Sequence, residues 1–441
     1  GTVLRGGYGW FFDSNSTASY EINQWGYSQS TITQMSVDNG LSFVTTIKDP
    51  FPIRSDGTRF DEPLRNKLGM MAMAGQNWDF FDPDWKAQSQ QRWRVAVQRQ
   101  LSTNMVVEIG YTGSWSRTNI TRRLDALPTN FWATGAARDN TIENQMNQSV
   151  TNPYRYTNLG AVQTSDPVLY SYLRNQSRFS GTTIRKNELL RPYSQITRLR
   201  TTTCPDGRVR YHAAEFQLEK RFSRGFMFNV LYTFTNSETR DWYANEFDPL
   251  PTWRANSNTM PHRFVFTGIY ELPFGPGKAL LKQGVAGQII GGWQFSTVYQ
   301  RQSGPPIDWG NEFYYGTISD LEKAFSGPAH ERDIHQWFDP NVPFEKDSAK
   351  RPGNFHVRVF PGRVGSLRAD GINNLDLRIL RNFNLLPENR LRAQLSVDML
   401  NAINHTNFNA PNVNPRDKAF GTVSSQRGLS RIIQANVRFV F

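Results

Sequence analysis

The chain has one cysteine, Cys204, in 441 residues, and it stands in the polar stretch "TTTCPDGR". An intramolecular disulfide framework is therefore excluded. Nowhere is there a run of about 18 apolar residues, so no transmembrane helix is expected. The start, "GTVLRGGYGWFFD", lacks both an initiator Met and a charged-then-apolar leader, and it reads as a mature chain or a piece of a longer one. Basic residues outnumber acidic ones, giving a net charge of +12, but they are scattered and form no RNA-binding signature. No nucleic-acid partner is expected, whereas contact with anionic lipid headgroups fits the same charge.

Catalytic and metal-binding patterns are also sparse. "FGPGKAL" has the look of a phosphate loop, but Lys278 is followed by Ala279 and the upstream glycine is misplaced, so it reads as a turn. The six histidines are dispersed, and His330 and His335 of "HERDIH" do not share a helical face well. No nucleophile elbow or positioned acid pair stands out. The expectation is a protein that is not an enzyme and carries no cofactor and no metal.

What the chain does have is aromatic side chains, 13% of residues with 12 Trp and 30 Phe, in a sequence whose mean hydropathy is only −0.58. The two are reconciled by alternation with period 2, the signature of strands with one apolar face. In "RWRVAVQRQ", Trp93, Val95 and Val97 alternate with Arg94, Ala96 and Gln98. After "LSTN", the next strand puts Val107, Ile109 and Tyr111 opposite Glu108 and Thr112, completing a hairpin. The same unit returns at Ala214, Phe216 and Leu218 against Glu215, Gln217 and Glu219, and then at Phe226 to Phe234. A third copy sets Leu375, Leu377 and Ile379 against Asp376 and Arg378, then Leu391, Ala393, Leu395 and Val397 against Arg392, Gln394 and Asp398.

About ten strands of about ten residues are expected, a length suited to crossing a bilayer at a tilt. They fall near 2–12, 91–100, 105–115, 211–222, 226–238, 262–272, 291–302, 372–384, 389–401 and 431–441. The connections alternate between long polar segments (13–90, 116–210, 239–261, 303–371, 402–430) and shorter ones (101–104, 223–225, 273–290, 385–388). Long loops at one end of an antiparallel sheet and turns at the other are the plan of an outer-membrane barrel. A soluble sandwich or propeller is the alternative, but propeller blades recur evenly and these strands do not. Loops of about 70 residues or more are also rare in compact soluble domains. Trp10, Phe12, Trp93, Trp115, Tyr299 and Phe441 would supply the interfacial girdles.

The expected fold is thus all-β: an antiparallel transmembrane β-barrel portion, an open half-barrel with long extracellular loops. Its polar face offers Glu108, Glu215, Glu219, Asp376, Arg378, Arg392 and Asp398 as lumen-facing candidates, either lining a solute path or forming an ion-pair ladder that solvates the interior. Trp132, Trp242, Trp309 and Trp337 in the loops could touch a ligand or pack the loops on themselves.

Several segments, "TVLRGGYGWFFD", "VQRQLSTNMVVEIGYTGS", "FQLEKRFSRGFMFNVLYTFTNS", "PHRFVFTGIYELPFGPGK", "GGWQFSTVYQRQSGPP" and "NAINHTNFNAPN", resemble the C-terminal barrel half of TonB-dependent outer-membrane receptors. The likeness is to the Oar-like group common in acidobacteria, and it runs in order along nearly the whole chain. It implies residues 1–441 as the C-terminal half of a receptor barrel of about 22 strands, with plug, energy-coupling box and N-terminal strands absent. It further implies uptake of a scarce solute coupled to the TonB complex through the plug, in the outer membrane of a Gram-negative bacterium. The terminal run of Ile433, Ala435, Val437, Phe439 and Phe441 resembles the signal read by the barrel-assembly machinery. A surface adhesin or passive structural barrel is the alternative, since fold alone does not fix function.

Overall fold

The computed structural model describes residues 1–13, 24–275, 277–325, 334–384 and 391–441. Ten long strands make one sheet: β1 (Thr2–Asp13), β2 (Gln88–Ser102), β3 (Met105–Arg123), β4 (Arg198–Ser223) and β5 (Phe226–Arg240), followed by β6 (His262–Glu271), β7 (Trp293–Gln302), β8 (Ile372–Asn384), β9 (Arg392–Leu400) and β10 (Ile432–Val440). Each pairs antiparallel with the next in sequence, so spatial order equals chain order. In such a meander successive connections must fall at opposite ends, and the long loops and the turns accordingly segregate. Two turns touch at one end, where the Arg221 N–H donates to Asn104 O at 2.8 Å. The third expected turn, Leu385 to Glu388, lies outside the described residues, as does His330.

The β4–β5 turn follows from its residues. Arg224 and Gly225 both take positive φ, 53° and 78°, which is the type I′ geometry whose twist matches that of the flanking strands. Gly225 has a further constraint, because a Cβ there would stand 3.2 Å from Glu271 O. Gly113 is needed for a different reason: it lies opposite Trp93, whose indole folds over the bare backbone where a Cβ would meet it at 2.4 Å.

Among the described residues β1 pairs only with β2 and β10 only with β9, so the sheet is open, as expected of a half-barrel. Its strands are staggered. Met227, Ile269, Ser296, Arg378, Asp398 and Gln434 stand directly opposite one another across β5 to β10. This row starts beside the turn on β5 and arrives near the loop end of β10. That climb is the tilt and shear a sheet needs in order to curve toward closure.

Three features depart from the sequence reading. β3 and β4 run well past the expected 105–115 and 211–222, because residues 198–210 continue the ladder instead of belonging to a loop. The register slips at Thr118/Ile120 and Ile120/Arg122, and these irregularities absorb the Pro205-Asp206-Gly207 segment that reads as a turn in sequence. The sheet is also not purely antiparallel, since Asn77–Phe80 pairs parallel with Arg198 to Thr201. That ribbon is fastened by Asp79, which accepts from Arg200 Nε at 2.6 Å and Nη2 at 2.8 Å. Burial disfavours the Asp79 charge, but Arg200 and Arg198 outweigh it and hold the carboxyl below its usual range.

The third departure is that the loops are structured. They carry short helices such as Asn140–Asn147, Pro167–Arg174 and Ile318–Ala324, the last started by a capping box between Thr317 and Asp320. Their largest apolar core joins Trp309, Leu321, Phe338, Phe344 and Leu367 of the β7–β8 loop to Phe420 and Val423 of the β9–β10 loop. A smaller one joins Leu127 and Met146 of the β3–β4 loop to Phe355. The loops therefore pack into a cap over one end of the sheet. Leu367 is fully buried there, and Leu367→Ala should cost about 2–5 kcal/mol of local stability. Hydrogen exchange on the full-length protein checks this: the amide of Trp309, which donates to Gly362 O, should lose protection while β3 and β4 amides keep theirs.

Candidate functional site: the polar face of the sheet

Register assigns every strand residue to one of two faces, because directly opposed residues share a face. One face carries Val95, Ile109, Phe216, Phe228, Phe266, Leu377, Leu395 and Val437. Many of its apolar side chains are exposed, Ile109 and Val437 by about three fifths. Trp10, Phe12, Trp93, Trp115 and Tyr299 lie on this face too. Ile433, Ala435, Val437 and Phe439 share it on the edge strand β10, and Phe441 follows, almost wholly exposed.

The opposite face carries all seven charged candidates, but the register separates them into groups. On β2 to β4, Arg94 bridges two carboxylates, reaching Glu108 Oε1 at 2.8 Å and Glu215 Oε2 at 2.9 Å. Thr112 Oγ1 adds a hydrogen bond to Glu215 at 3.1 Å. Four strands away, Arg378 pairs with Asp398 at 3.3 Å, and Asp398 also accepts from Asn436 Nδ2 at 2.9 Å. Asp376 accepts from Asn374 Nδ2 and from the backbone N–H of Asn401. Glu219 and Arg392 stand apart near the turn end, Glu219 beside Arg221 at 3.8 Å and Arg392 opposite Val440. The candidates are thus two ion-paired patches and two outliers rather than one site.

Around the second patch the polar face is hollow. A cavity of about 530 Å3 is lined by Asp376, Arg378 and Asp398 together with apolar groups that include Ile269, Val298 and Ile432. It follows the staggered row described above. Sequence alternation missed this apolar floor, because Val298 and Ile432 occupy positions where a strictly polar face was expected. It also missed Arg94 as a partner, although the spacing of Arg94 and Glu108 about the "LSTN" turn could have identified the pair.

The loop tryptophans pack the cap. Trp309 and Trp337 are almost fully buried, Trp132 contacts Phe247 and Phe355, and the Trp242 ring meets the guanidinium groups of Arg254 and Arg358 at 4.6 and 4.8 Å. Glu312 and Arg416 form an ion pair buried between two loops. Beside the ladder extension, burial first and a hydrogen bond with Cys204 second push the Tyr243 phenol far above its ordinary value. Lys278 of the "FGPGKAL" turn is bound to Glu271 at 2.6 Å. Among the described residues no group of three His, Cys, Asp or Glu side chains is placed to hold a metal ion.

The Arg94 bridge makes a measurable claim. Its side chain is half exposed, so the pair energies are modest, about 1 kcal/mol or less each. Removing the cation alone strands two carboxylates on one face, so Arg94→Met should destabilise the full-length protein more than Glu108→Gln plus Glu215→Gln together. Denaturant unfolding in detergent checks the order, and equal losses would show that the bridge carries no coupling.

Comparison with known proteins places the chain in context. The family model described as an outer membrane beta barrel domain matches residues 1–434. No curated protein matches. Among solved structures, the chain is similar to the outer membrane transporter YddB from Escherichia coli, with 9% identity over 82% of this chain and 34% of that one, TM-score 0.37. It is also similar to the ferripyoverdine receptor of the outer membrane of Pseudomonas aeruginosa, with 9% identity over 80% of this chain and 27% of that one, TM-score 0.31. The chain spans about a third or less of the length of these solved proteins.

Proposed function

The chain belongs to the outer membrane beta barrel domain family and so to the outer membrane of a Gram-negative bacterium, and from that premise we propose that it is the C-terminal half of a TonB-dependent receptor barrel. The observation that carries this reading is the pair of edges on β1 and β10 that are free among the described residues. A bilayer offers no water to satisfy open N–H and C=O groups, so an arc of ten strands belongs to a larger closed barrel. The segment resemblances to such receptors, spread in order along the chain, support the same assignment, including the Oar-like group.

In this reading the apolar face meets lipid and the polar face lines a lumen. Arg94, Glu108 and Glu215 form one ion-paired wall, and Asp376, Arg378 and Asp398 rim a hollow on another. The activity is uptake of a scarce solute through this lumen, energised by the TonB complex acting on a plug elsewhere in the full-length protein. Ile433, Ala435, Val437, Phe439 and Phe441 form the strand offered to the barrel-assembly machinery, whose recognition can proceed by strand addition to the free edge of β10. No enzymatic step is assigned to any of these groups.

A surface adhesin is the second reading, favoured by the cap, whose shared apolar core gives it the rigidity of a binding surface. Cross-linking the full-length protein to TonB in intact cells separates the two. A cross-linked species is expected of a receptor, and its absence from correctly assembled protein would favour the adhesin. The faces have their own test: near the midplane Leu395→Arg should cost about 2–4 kcal/mol, whereas Gln394→Arg should cost little. Equal tolerance of both would overturn the lipid-facing assignment.

A further inference from the structure

On the apolar face, just above the aromatic girdle, three arginines stand side by side. Arg117 of β3 is directly opposite Arg208 of β4, which is directly opposite Arg240 of β5. Like charges in directly opposed positions repel, and a sheet normally avoids them. One step closer to the belt on the same face, Arg210 lies over the Trp253 ring at 3.9 Å and the Trp115 ring at 5.4 Å. Among the described residues, two carboxylates form ion pairs beside this group. Glu238 is 3.9 Å from Arg210, and Asp206 is directed toward Arg122 at 4.0 Å and toward Cys204.

The arginines are held but not satisfied. Arg208 Nη1 donates to Pro205 O and Gly207 O, Arg240 Nη2 to Asp206 O, and Arg117 Nη2 to Ala87 O. These bonds engage one side of each guanidinium, and the buried Nε of Arg117 and of Arg210 has no acceptor. A guanidinium presents five donors in a rigid fork suited to the oxygens of a phosphate. The height of the row also matters. From Val107 to Arg117 the strand advances ten residues, which at about 3.3 Å each and a tilt of about 45° is roughly 23 Å, close to the height of the apolar band of an outer-membrane barrel. The row therefore sits at the level where lipid headgroups begin.

We propose that Arg117, Arg208, Arg210 and Arg240 form an outward-facing site for the phosphate of a lipid headgroup in the outer leaflet, with Trp115 and Trp253 lying against its apolar portion. The site rests on the outward assignment of the Val107 face. Its anion replaces the missing counter-charge of the row, and the interfacial tryptophans explain why a lipid, rather than a soluble anion, is the occupant.

The test uses the full-length protein, delipidated in detergent and titrated with phosphatidic acid, a phosphomonoester lipid, or with phosphatidylcholine, with retained lipid counted by native mass spectrometry. Phosphatidic acid should be retained at about tenfold lower concentration than phosphatidylcholine, and Arg208→Gln with Arg240→Gln should abolish that preference. Arg117→Gln alone, the milder change, should weaken it about fivefold, and raising the salt should weaken it in the unaltered protein. Equal retention of the two lipids, or a preference that survives both variants, would overturn the proposal. Displacement of the lipid by inorganic phosphate at matching concentration would overturn the lipid assignment in favour of a soluble anion. A spin label at Ile109→Cys, read for contact with a lipid-soluble relaxation agent, tests the face independently. If that label proves lipid-exposed and no preference is found, the arginine site fails while the barrel reading stands.

Discussion

The antiparallel ladder is the constraint on which everything else in this molecule depends. In hydrocarbon no water replaces a lost backbone hydrogen bond, so each strand must be bonded along both edges, and among the described residues the eight strands from β2 to β9 are. Given that ladder, the pleat fixes which side chains face which way, and chain order fixes which connections meet. Faces and ends are consequences of one pairing scheme. A one-residue slip of β4 and β5 would put Phe216 and Phe228 among carboxylates and Glu215 in the apolar belt.

The two faces solve different electrostatic problems. On the polar face charge is balanced locally, with Arg94 between two glutamates and Arg378 beside Asp398, so the wall can be wet without a strong net field. On the apolar face of β3 to β5 the charges beyond the girdle are mostly cationic, with Arg117, Arg208 and Arg240 directly opposed. The tyrosine and histidine pairs on that face, Tyr111 with His212 and Tyr232 with His262, mark the same transition, each joining an aromatic ring to a polar partner at 2.6 and 2.8 Å. Rings with an apolar body and a polar tip suit such a boundary.

Much of this was legible in the sequence because the barrel signal is local. Alternation in "RWRVAVQRQ" or "NNLDLRIL" needs no knowledge of the rest of the chain, and ten strands emerged close to their positions. The upper parts of β3 and β4 were not legible, because Pro205, Asp206 and Gly207 carry turn chemistry that the structure uses for an irregular ladder. The cap was hidden for the opposite reason. Its core joins residues such as Trp309 and Phe420, more than a hundred positions apart in loops whose composition shows no period. The hollow beside Arg378 was equally hidden, since its lining is drawn from six strands, and no single strand contains the pattern.

The cap core takes its residues from the loops on both sides of the β8–β9 hairpin. In the proposed barrel those loops would lie on the outer side, and their shared buried surface does not exist until both have arrived there. Once Trp309, Phe344 and Phe420 come together, drawing the hairpin back would require the cluster to be dismantled first. The cap thus acts as a latch on assembly. In the proposed receptor, the packing of this core would hold the β8–β9 hairpin in place from the loop side.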